Sequence, residues 1–552
     1  MKRIFSISAI FTIVLCLLSF SCVSQNWLWA KSATGTGNDY ANSVAVDVSG
    51  NTFVSGNFES PSIIFGSTTL INSNTDSTAD IFLEKLDASG SVLWAKSFGG
   101  TKNDETYSVT TDDSGNVYLA GFFYSNTLKF DTTTLINTDT NYCDLFLVKL
   151  NASGNVLWAK SATGNDNDEV YSVAADTAGN VCIAGCFYSD TLIFGSDTLA
   201  NSGLFDIFIA KYDGNGNLLL AKSAGGTGYD GASAIALDGS GNAYLAGWFE
   251  SPTLIFGSVT LTNAGYEDIF LVKYDTGGNV VWAKSAGGTD DDNANSLALD
   301  PSGNIYMIGD FYSSTLNFGS TTLTNTGGDN LFIAKYDNSG NVQWAKSAQG
   351  NADGKSVIVG TSGNIYMAGD FGSPTLSFGT ITLKNADTLG NTNDIFLTKF
   401  DAGGNTYWAK SIGGKDDEGA NSIALDASGS VYVAGWFYSP MLSFPPDSLI
   451  NTDNTGNTDD IFIAKLSSST GINELTSSLN TTIYPNPAKT KITIETSQQA
   501  LIEILNIQGQ IIKTMPTNVN KTIIDVSSFT NGMYFVKVKT ENDMTVKKFV
   551  KE

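Results

Sequence analysis

Apolar residues fall along this chain in short bursts separated by clusters of Gly, Asn, Asp and Ser, with no long run at helical period. Residues 296–348 show the arrangement. SLALD (296–300) is a short apolar strand, PSGN a tight turn, and NIYMIGDF (304–311) a second strand. STLNFGSTTLTN (314–325) reads as a hairpin bending near Gly319. LFIAKYD (331–337) and NVQWAKSA (341–348) complete the unit around another Asn-Ser-Gly turn. Gly and Asn supply the positive φ such turns need. The strands are β-branched, aromatic and almost continuously apolar, which predicts a sheet covered on both faces.

This unit recurs. WAK and its variant are headed by Trp29, Trp94, Trp158, Leu220, Trp282, Trp344 and Trp408, at steps of 65, 64, 62, 62, 62 and 64 residues. A DIFLVK-like run begins at Asp80, Asp144, Asp206, Asp268, Asn330, Asp394 and Asp460. Such fixed-period self-similarity predicts a repeat architecture. With the strands lettered a to d from centre to rim, a, b and c each occur seven times, but d follows c only six times. The missing d is WLWAKSATG at the start of the repeat region, residues 27–35. The expected fold is therefore all-β: a seven-bladed β-propeller, each blade carrying an extra hairpin, with the last blade completed by the N-terminal strand. Closure removes an exposed ladder that would otherwise invite aggregation.

The flanks read differently. Lys2 and Arg3 precede an apolar run from Ile4 to Phe20 and then small residues, the pattern of a signal peptide over residues 1–24. Cys22 raises a lipoprotein alternative, in a poor context for lipid attachment. No later segment is long and apolar enough to span a bilayer. The propeller is expected over 25–466 and a polar linker over 467–480. Residues 481–552 carry nine lysines against six acids, the reverse of the bias upstream, and alternate strands with turns as a small Ig-like β-sandwich does.

The repeat units resemble the SBBP β-propeller repeat family in spacing and in phrases such as DPSGNIYMIGDFYSSTLNFG, which implies architecture but no single activity. The tail resembles the type A C-terminal sorting domain of type IX secretion substrates. The matching features are YPNPA at Tyr484, Pro485, Asn486 and Pro487, ILNIQGQII with Gly509, NGMYFVKV with Gly532 and Tyr534, and the terminal KKFVKE with Lys547 and Lys548. That resemblance implies passage through the periplasm and across the outer membrane, with the type IX translocon and its sortase as partners. The cargo would end secreted or at the cell surface, released or joined to lipopolysaccharide.

Composition narrows the chemistry further. There are 55 acidic and 30 basic residues, a formal charge of −25, no histidine, and Arg3 as the only arginine. Nucleic acid is thereby disfavoured as a partner. Serine–histidine and cysteine–histidine catalysis, histidine metal sites and arginine clamps are also removed. Of the cysteines beyond the signal peptide, Cys182 and Cys186 lie on one predicted strand, ~13 Å apart at strand rise, and cannot bridge each other. With Cys143 they read as small buried hydrophobes.

Three sets of residues are candidates for function. The d–a connections place acids at Asp39, Asp104, Asp168, Asp230, Asp292 and Glu418, with Asp353 one place off. Their recurrence predicts a scaffold role, capping backbone N–H groups, although oxygen ligands would also suit Ca²⁺. Fourteen lysines recur in strands c and d, expected to bury their stems and either reach the rim or pair with a turn aspartate. Most informative is a position where the repeats disagree, just after the glycine of strand b: Asn57, Phe122, Cys186, Trp248, Asp310, Asp370 and Trp436. Of these Trp436, Asn57, Phe122 and Trp248 are the candidate ligand contacts, the tryptophans as stacking platforms for sugars or as plain inter-blade packing. From hairpin Leu to strand c the repeats span 10, 9, 7, 7, 7, 11 and 11 residues, so the long b–c loops belong to adjoining repeats 6, 7, 1 and 2. The expected function is a binding or adhesion module for a glycan or protein ligand. The alternatives are a polysaccharide-active enzyme using a carboxylate pair, for which no carboxylate clearly escapes the repeat pattern, and a structural surface component.

Overall fold

The computed structural model describes residues 25–468 and 481–552, except 75–76, 326, 454–457, 497–498, 507–510, 518–520 and 540–543. The signal peptide at 1–24, most of the linker at 467–480 and Gly509 therefore lie outside the described residues. No described residue is helical. Residues Gln25–Ser468 form one unit, a β-propeller-like repeat of four-stranded antiparallel sheets.

In the first repeat Asp39–Val46, Thr52–Phe58, Asp80–Leu86 and Val92–Phe98 pair in that order, strands a to d. The hairpin Ser62–Phe65 with Thr68–Ile71 forms a separate two-stranded sheet between b and c. A bulge in strand a between Ala41 and Ser43 brings the Tyr40 carbonyl so close that a Cβ at Gly56 would lie 1.8 Å from it. That is why each strand b carries glycine there. The a–b turn is fixed by Asp47, whose Oδ1 accepts the Ser49 and Asn51 N–H groups at 2.9 Å each. Gly50 supplies the left-handed φ of +82°.

Repeats 5 and 6 share one strand, Val342–Val359, which serves as d of one and a of the next. The cause is a deletion. Trp344 lies 12 residues before Ser356, whereas 14 separate the corresponding pair, Trp29 and Ser43, of the first repeat. In the last repeat, Glu418–Leu425, Val431–Phe437 and Asp460–Leu466 are joined by Trp27–Ser32, which pairs antiparallel with Asp460–Leu466. Trp27 and Trp29 are both buried there.

Neighbouring repeats are stitched together at strand a. Ser43 Oγ accepts the Val109 N–H, Ser108 that of Val173, Ser172 that of Ile235, Ser296 that of Val357 and Ser356 that of Ile423. Ser422 of the last repeat accepts the Val44 N–H of the first, at 3.1 Å. Ala234 occupies the one strand-a position of this series without a hydroxyl. Apolar clusters fill the space between sheets, as where Tyr118, Leu145 and Leu147 of one repeat meet Val181, Ile183 and Phe208 of the next.

The strand-c lysines differ from one of the two expectations. Lys85 does pair with a turn aspartate, Asp47, at 3.7 Å. Its amine does not reach the rim: the side chain is buried, sits 4.7 Å from the Phe53 ring centre and donates to the Ala152 carbonyl of the next repeat. A charge can be held there because ring, carboxylate and carbonyl replace its water.

The tail is a sandwich of two sheets. Thr481–Tyr484, Lys491–Thr496 and Thr522–Asp525 make one, and Ile511–Pro516, Leu501–Leu505, Gly532–Lys539 and Met544–Lys551 the other. Ile492, Ile494, Ile502, Ile504, Val536 and Phe549 lie in the core between them. Asn486 clips the final strand, accepting the Val550 N–H at 2.9 Å and donating to the Lys548 carbonyl. Tyr534 stacks on Phe549 and donates its hydroxyl to the Thr530 carbonyl.

Candidate functional site

Because the strands are antiparallel, strand a starts, strand b ends and strand c starts at one edge of every sheet. Here the recurring acids and the variable positions meet. Asp39, Asp104, Asp168, Asp230, Asp292 and Glu418 are each the first residue of a strand a, and all are buried. They are not gathered into one site. Asp168 Oδ2 accepts from Ser189 Oγ at 2.8 Å and its Oδ1 from the Ser189 N–H. Ser189 Oγ in turn accepts the N–H groups of Asn165 and Asp166 in the d–a connection. The same carboxylate–serine contact joins Asp39 to Ser60, Asp104 to Ser125, Asp230 to Ser251 and Asp292 to Ser313, while Glu418 accepts the Ser439 N–H. Burial pushes Asp39, Asp104 and Asp292 up to about 7, and Asp168 and Glu418 to about 8, against the opposing serine bonds. Each carboxylate pins the segment after strand b to the loop before strand a. Asp353 belongs to a different register: the two-residue deletion places Ala352, paired with Phe371, where the other repeats have the acid.

The variable position of strand b lies opposite a variable position of strand a, two residues before the bulge serine's neighbour. The facing pairs are Tyr40 and Asn57, Glu105 and Phe122, Glu169 and Cys186, Gly231 and Trp248, Asn293 and Asp310, Asp353 and Asp370, and Gly419 and Trp436. Size is matched across the pair. A Cβ on Gly231 would lie 3.1 Å from the Trp248 ring, and one on Gly419 would lie 2.7 Å from Trp436. Both indoles are half-buried, while Asn57 and Phe122 are buried. Asn57 accepts the Thr106 N–H of the next repeat, and Cys186, like Cys143 and Cys182, is a buried free thiol.

Three groupings result. Trp436 meets Tyr40 edge-on at 6.1 Å. Trp248 meets Phe205 at 5.5 Å, and Phe205 continues to Tyr188 and Tyr229, whose rings are partly exposed. Tyr107, 37% exposed, contacts Phe122 and Tyr171 beside Glu105 and Glu169. The aromatic surface thus extends through repeats 3 and 4 as well as the long-loop sector, where loop length alone gave no signal.

Sequence reasoning missed the acid cluster of repeats 5 and 6. Asp310, Asp329 and Asp353 bring carboxylate oxygens within 4.8 Å of one another. Among the described residues this is the group of acids spaced to hold a cation, and the ammonium of Lys355, 2.8 Å from Asp353, already brings positive charge to it. Tyr312 Oη donates to Asp329 at 3.0 Å and Asn295 to Asp310 at 2.6 Å. Burial, then the neighbouring Asp353, raises Asp329; burial raises Asp310 to about 6 and Asp370 to about 7. Burial opposes ionisation of Asp353 as well, but Lys355 holds that carboxyl below its usual range. Asp329 is thus pushed toward its protonated form beside Asp353, which is drawn toward the ionised form. The available signal was the combination of variable positions on a, on b and just before c.

Fold and site together define a β-propeller-like repeat protein whose repeats diverge at one edge, carrying a separate sandwich at its end. Residues 482–552 match the secretion system C-terminal sorting domain, and this tail implies a secreted or cell-surface protein exported by the type IX route through the periplasm. An uncharacterized WD repeat-containing protein, L264 of Acanthamoeba polyphaga mimivirus, is 23% identical over 505 residues, covering 76% of this chain and 36% of that protein. The regulatory protein FlaEY of Caulobacter vibrioides is 24% identical over 376 residues, covering 64% and 38%. The chain spans little more than a third of either relative. Among solved structures, Sqt1 from Chaetomium thermophilum superposes with a TM-score of 0.40 at 9% identity over 81% of this chain and 99% of that one. YCF48 bound to D1 peptide gives 0.34 at 11% identity over 82% and 100%.

Proposed function

We propose that this is an exported binding module: a closed seven-bladed propeller, completed by Trp27–Ser32, that presents a glycan or protein site on its acid-bearing edge. The type IX translocon and its sortase deliver it, and the cargo is released or joined to lipopolysaccharide. The observation that carries the binding reading is the facing pairs. A scaffold that repeats its strands so faithfully leaves free the side chains at one edge, and there it varies both partners in step. Half-buried indoles and partly exposed tyrosines among carboxylates and amides suit sugar recognition, an apolar ring face stacking while polar groups meet hydroxyls. The serine bonds from Ser43 to Ser422 support closure of the ring. A glycan array with the wild type, Trp436→Ala and Trp248→Ala tests the site. Binding untouched in both variants would remove the tryptophans from it.

The acid cluster favours a second reading, hydrolysis of a polysaccharide, since an adjacent protonated and ionised carboxyl are the groups that chemistry needs. Reducing-sugar release that disappears in Asp353→Asn and Asp329→Asn would establish it. An equal rate in both variants would dismiss it.

A further inference from the structure

At the opposite edge of the sheets the a–b turns repeat a carboxylate trap. In repeat 2, Asp112 Oδ1 accepts the N–H groups of Ser114 and Asn116 at 3.0 and 2.9 Å. Its Oδ2 accepts from Asn116 Nδ2 at 2.8 Å and Tyr118 Oη at 3.1 Å, with Lys149 Nζ at 3.6 Å. Five donors converge on one side chain. Aspartate holds this position in repeats 1 to 5 and 7, at Asp47, Asp112, Asp176, Asp238, Asp300 and Asp426. In repeat 6 the residue is Gly360.

The turn and the donors around it are retained in repeat 6. The turn keeps its two backbone bonds, Gly360 N–H to Asn364 and Gly363 N–H to Gly360, at 2.9 and 2.8 Å. Lys399 Nζ sits 5.0 Å from the Tyr366 ring centre, as Lys149 sits 4.8 Å from Tyr118. The Asn364 amide, lacking the carboxylate, donates to Ser362 Oγ instead. Among the described residues neither the Tyr366 hydroxyl nor the Lys399 amine has a hydrogen-bond or ion-pair partner. The amine has lost a second partner too. Lys85, Lys149, Lys335 and Lys465 each donate to a backbone carbonyl in the following repeat's c–d turn, as Lys335 does to Ala402. Repeat 7 has no such turn, because its fourth strand is Trp27–Ser32.

These donors line one open cavity of about 490 Å³, with Gly360, Ser362, Asn364, Tyr366 and Lys399 in its wall. Asp426 also borders it, but its charge is met by Lys465 at 3.2 Å and by Ser428 and Ser430. Glycine is not needed at 360 for conformation or space. Its φ is not left-handed, and the nearest atom to a Cβ there would be Leu425 Cδ1, at an ordinary 3.5 Å.

We infer that this cavity binds the carboxylate group of a small ligand, which takes the place that an aspartate side chain fills in the six other repeats. A planar two-oxygen anion matches the donors: two N–H groups for one oxygen, and an amide, a phenol and an ammonium for the other. The cavity volume leaves room for a ligand body beyond the carboxylate. This site lies at the other edge from the one proposed above and does not depend on it.

Acetate is the minimal probe, used on the full chain at neutral pH with chloride at matched ionic strength as the control. Acetate raises the melting temperature of the wild type and broadens its own ¹³C resonance, and chloride does neither. Lys399→Met loses both responses. Gly360→Asp loses both as well, and melts above the wild type in acetate-free buffer because its tethered carboxylate reaches the waiting donors. That gain separates a filled site from a damaged fold. Three results would overturn the inference: no acetate response in the wild type, an equal response in both variants, or an equal response to inorganic phosphate.

Discussion

Ser422 Oγ accepts the Val44 N–H at 3.1 Å, joining the last repeat to the first across 378 positions of sequence. The bond has the same form as those between consecutive repeats, so the ends of the repeat region meet as any two neighbours do. Beside it, Trp27–Ser32 completes the last sheet.

Deleting residues 26–32 strips that strand and uncovers the Asp460–Leu466 ladder. Burial of Trp27 and Trp29 is worth ~1.5–3 kcal/mol each, and the bare edge invites pairing between molecules. The expected outcome is aggregation or a broad, non-cooperative melt in calorimetry. A trimmed protein melting like the parent would contradict the closed ring.

Gly419→Ala places a methyl 2.7 Å from the Trp436 ring. The indole must move, at a cost of ~1–3 kcal/mol for such overpacking. Truncating the ring removes the clash, so Gly419→Ala combined with Trp436→Ala should recover part of the loss. A double-mutant cycle by denaturant unfolding measures this coupling; strict additivity would show that the pair is not in contact.

Stability should fall as pH rises from about 4 to about 8, the region between ordinary carboxyl values and those of the buried strand-a acids, Asp39, Asp104, Asp168, Asp292 and Glu418. These groups have raised values in the folded chain, so it binds more protons there than the unfolded chain. Their contribution is complete below the unfolded values and is lost as pH passes through 7 to 8. The turn acids act in the other sense. Burial opposes their ionisation, yet hydrogen bonds from Asn116 and Asn304 hold Asp112 and Asp300 low, so their contribution is lost in strong acid. Melting temperature should therefore peak in mildly acidic buffer, and thermal scans across pH would show a rise toward neutrality if the strand-a acids are ionised throughout.

Removing residues 481–552 should leave the repeat unit folded, with its melting transition unchanged, and hold it in the periplasm. Fractionation of cells expressing the shortened chain reads the second outcome. Shortened cargo found at the cell surface would separate export from the tail.

The strands, their order in each sheet and the origin of the last fourth strand were legible because period and alternation repeat so often that single ambiguities cancel. The shared strand Val342–Val359 was not, although its cause is a two-residue deletion visible beside Ser356. That deletion also made Asp353 look like a displaced member of the acid series, when it faces Asp370. The strand-b variable positions stood out in one-dimensional alignment. Their partners on strand a did not, because the bulge before Ser43 and its equivalents shifts register, and the partner Asp329 comes from just before a third strand. Such a cluster becomes visible only once pairing is known.

The borrowed strand also sets a timetable. The first piece of the repeat region to leave the ribosome is the last to find its place, since Asp460–Leu466 must exist before Trp27–Ser32 can pair with it. Until then the leading segment has no sheet to join, and every chain stalled or clipped before Asp460–Leu466 keeps a raw edge. Pairing of Trp27–Ser32 with Asp460–Leu466 is thus a certificate of length. The leading strand therefore stays without its partner until the distal end of the repeat region arrives.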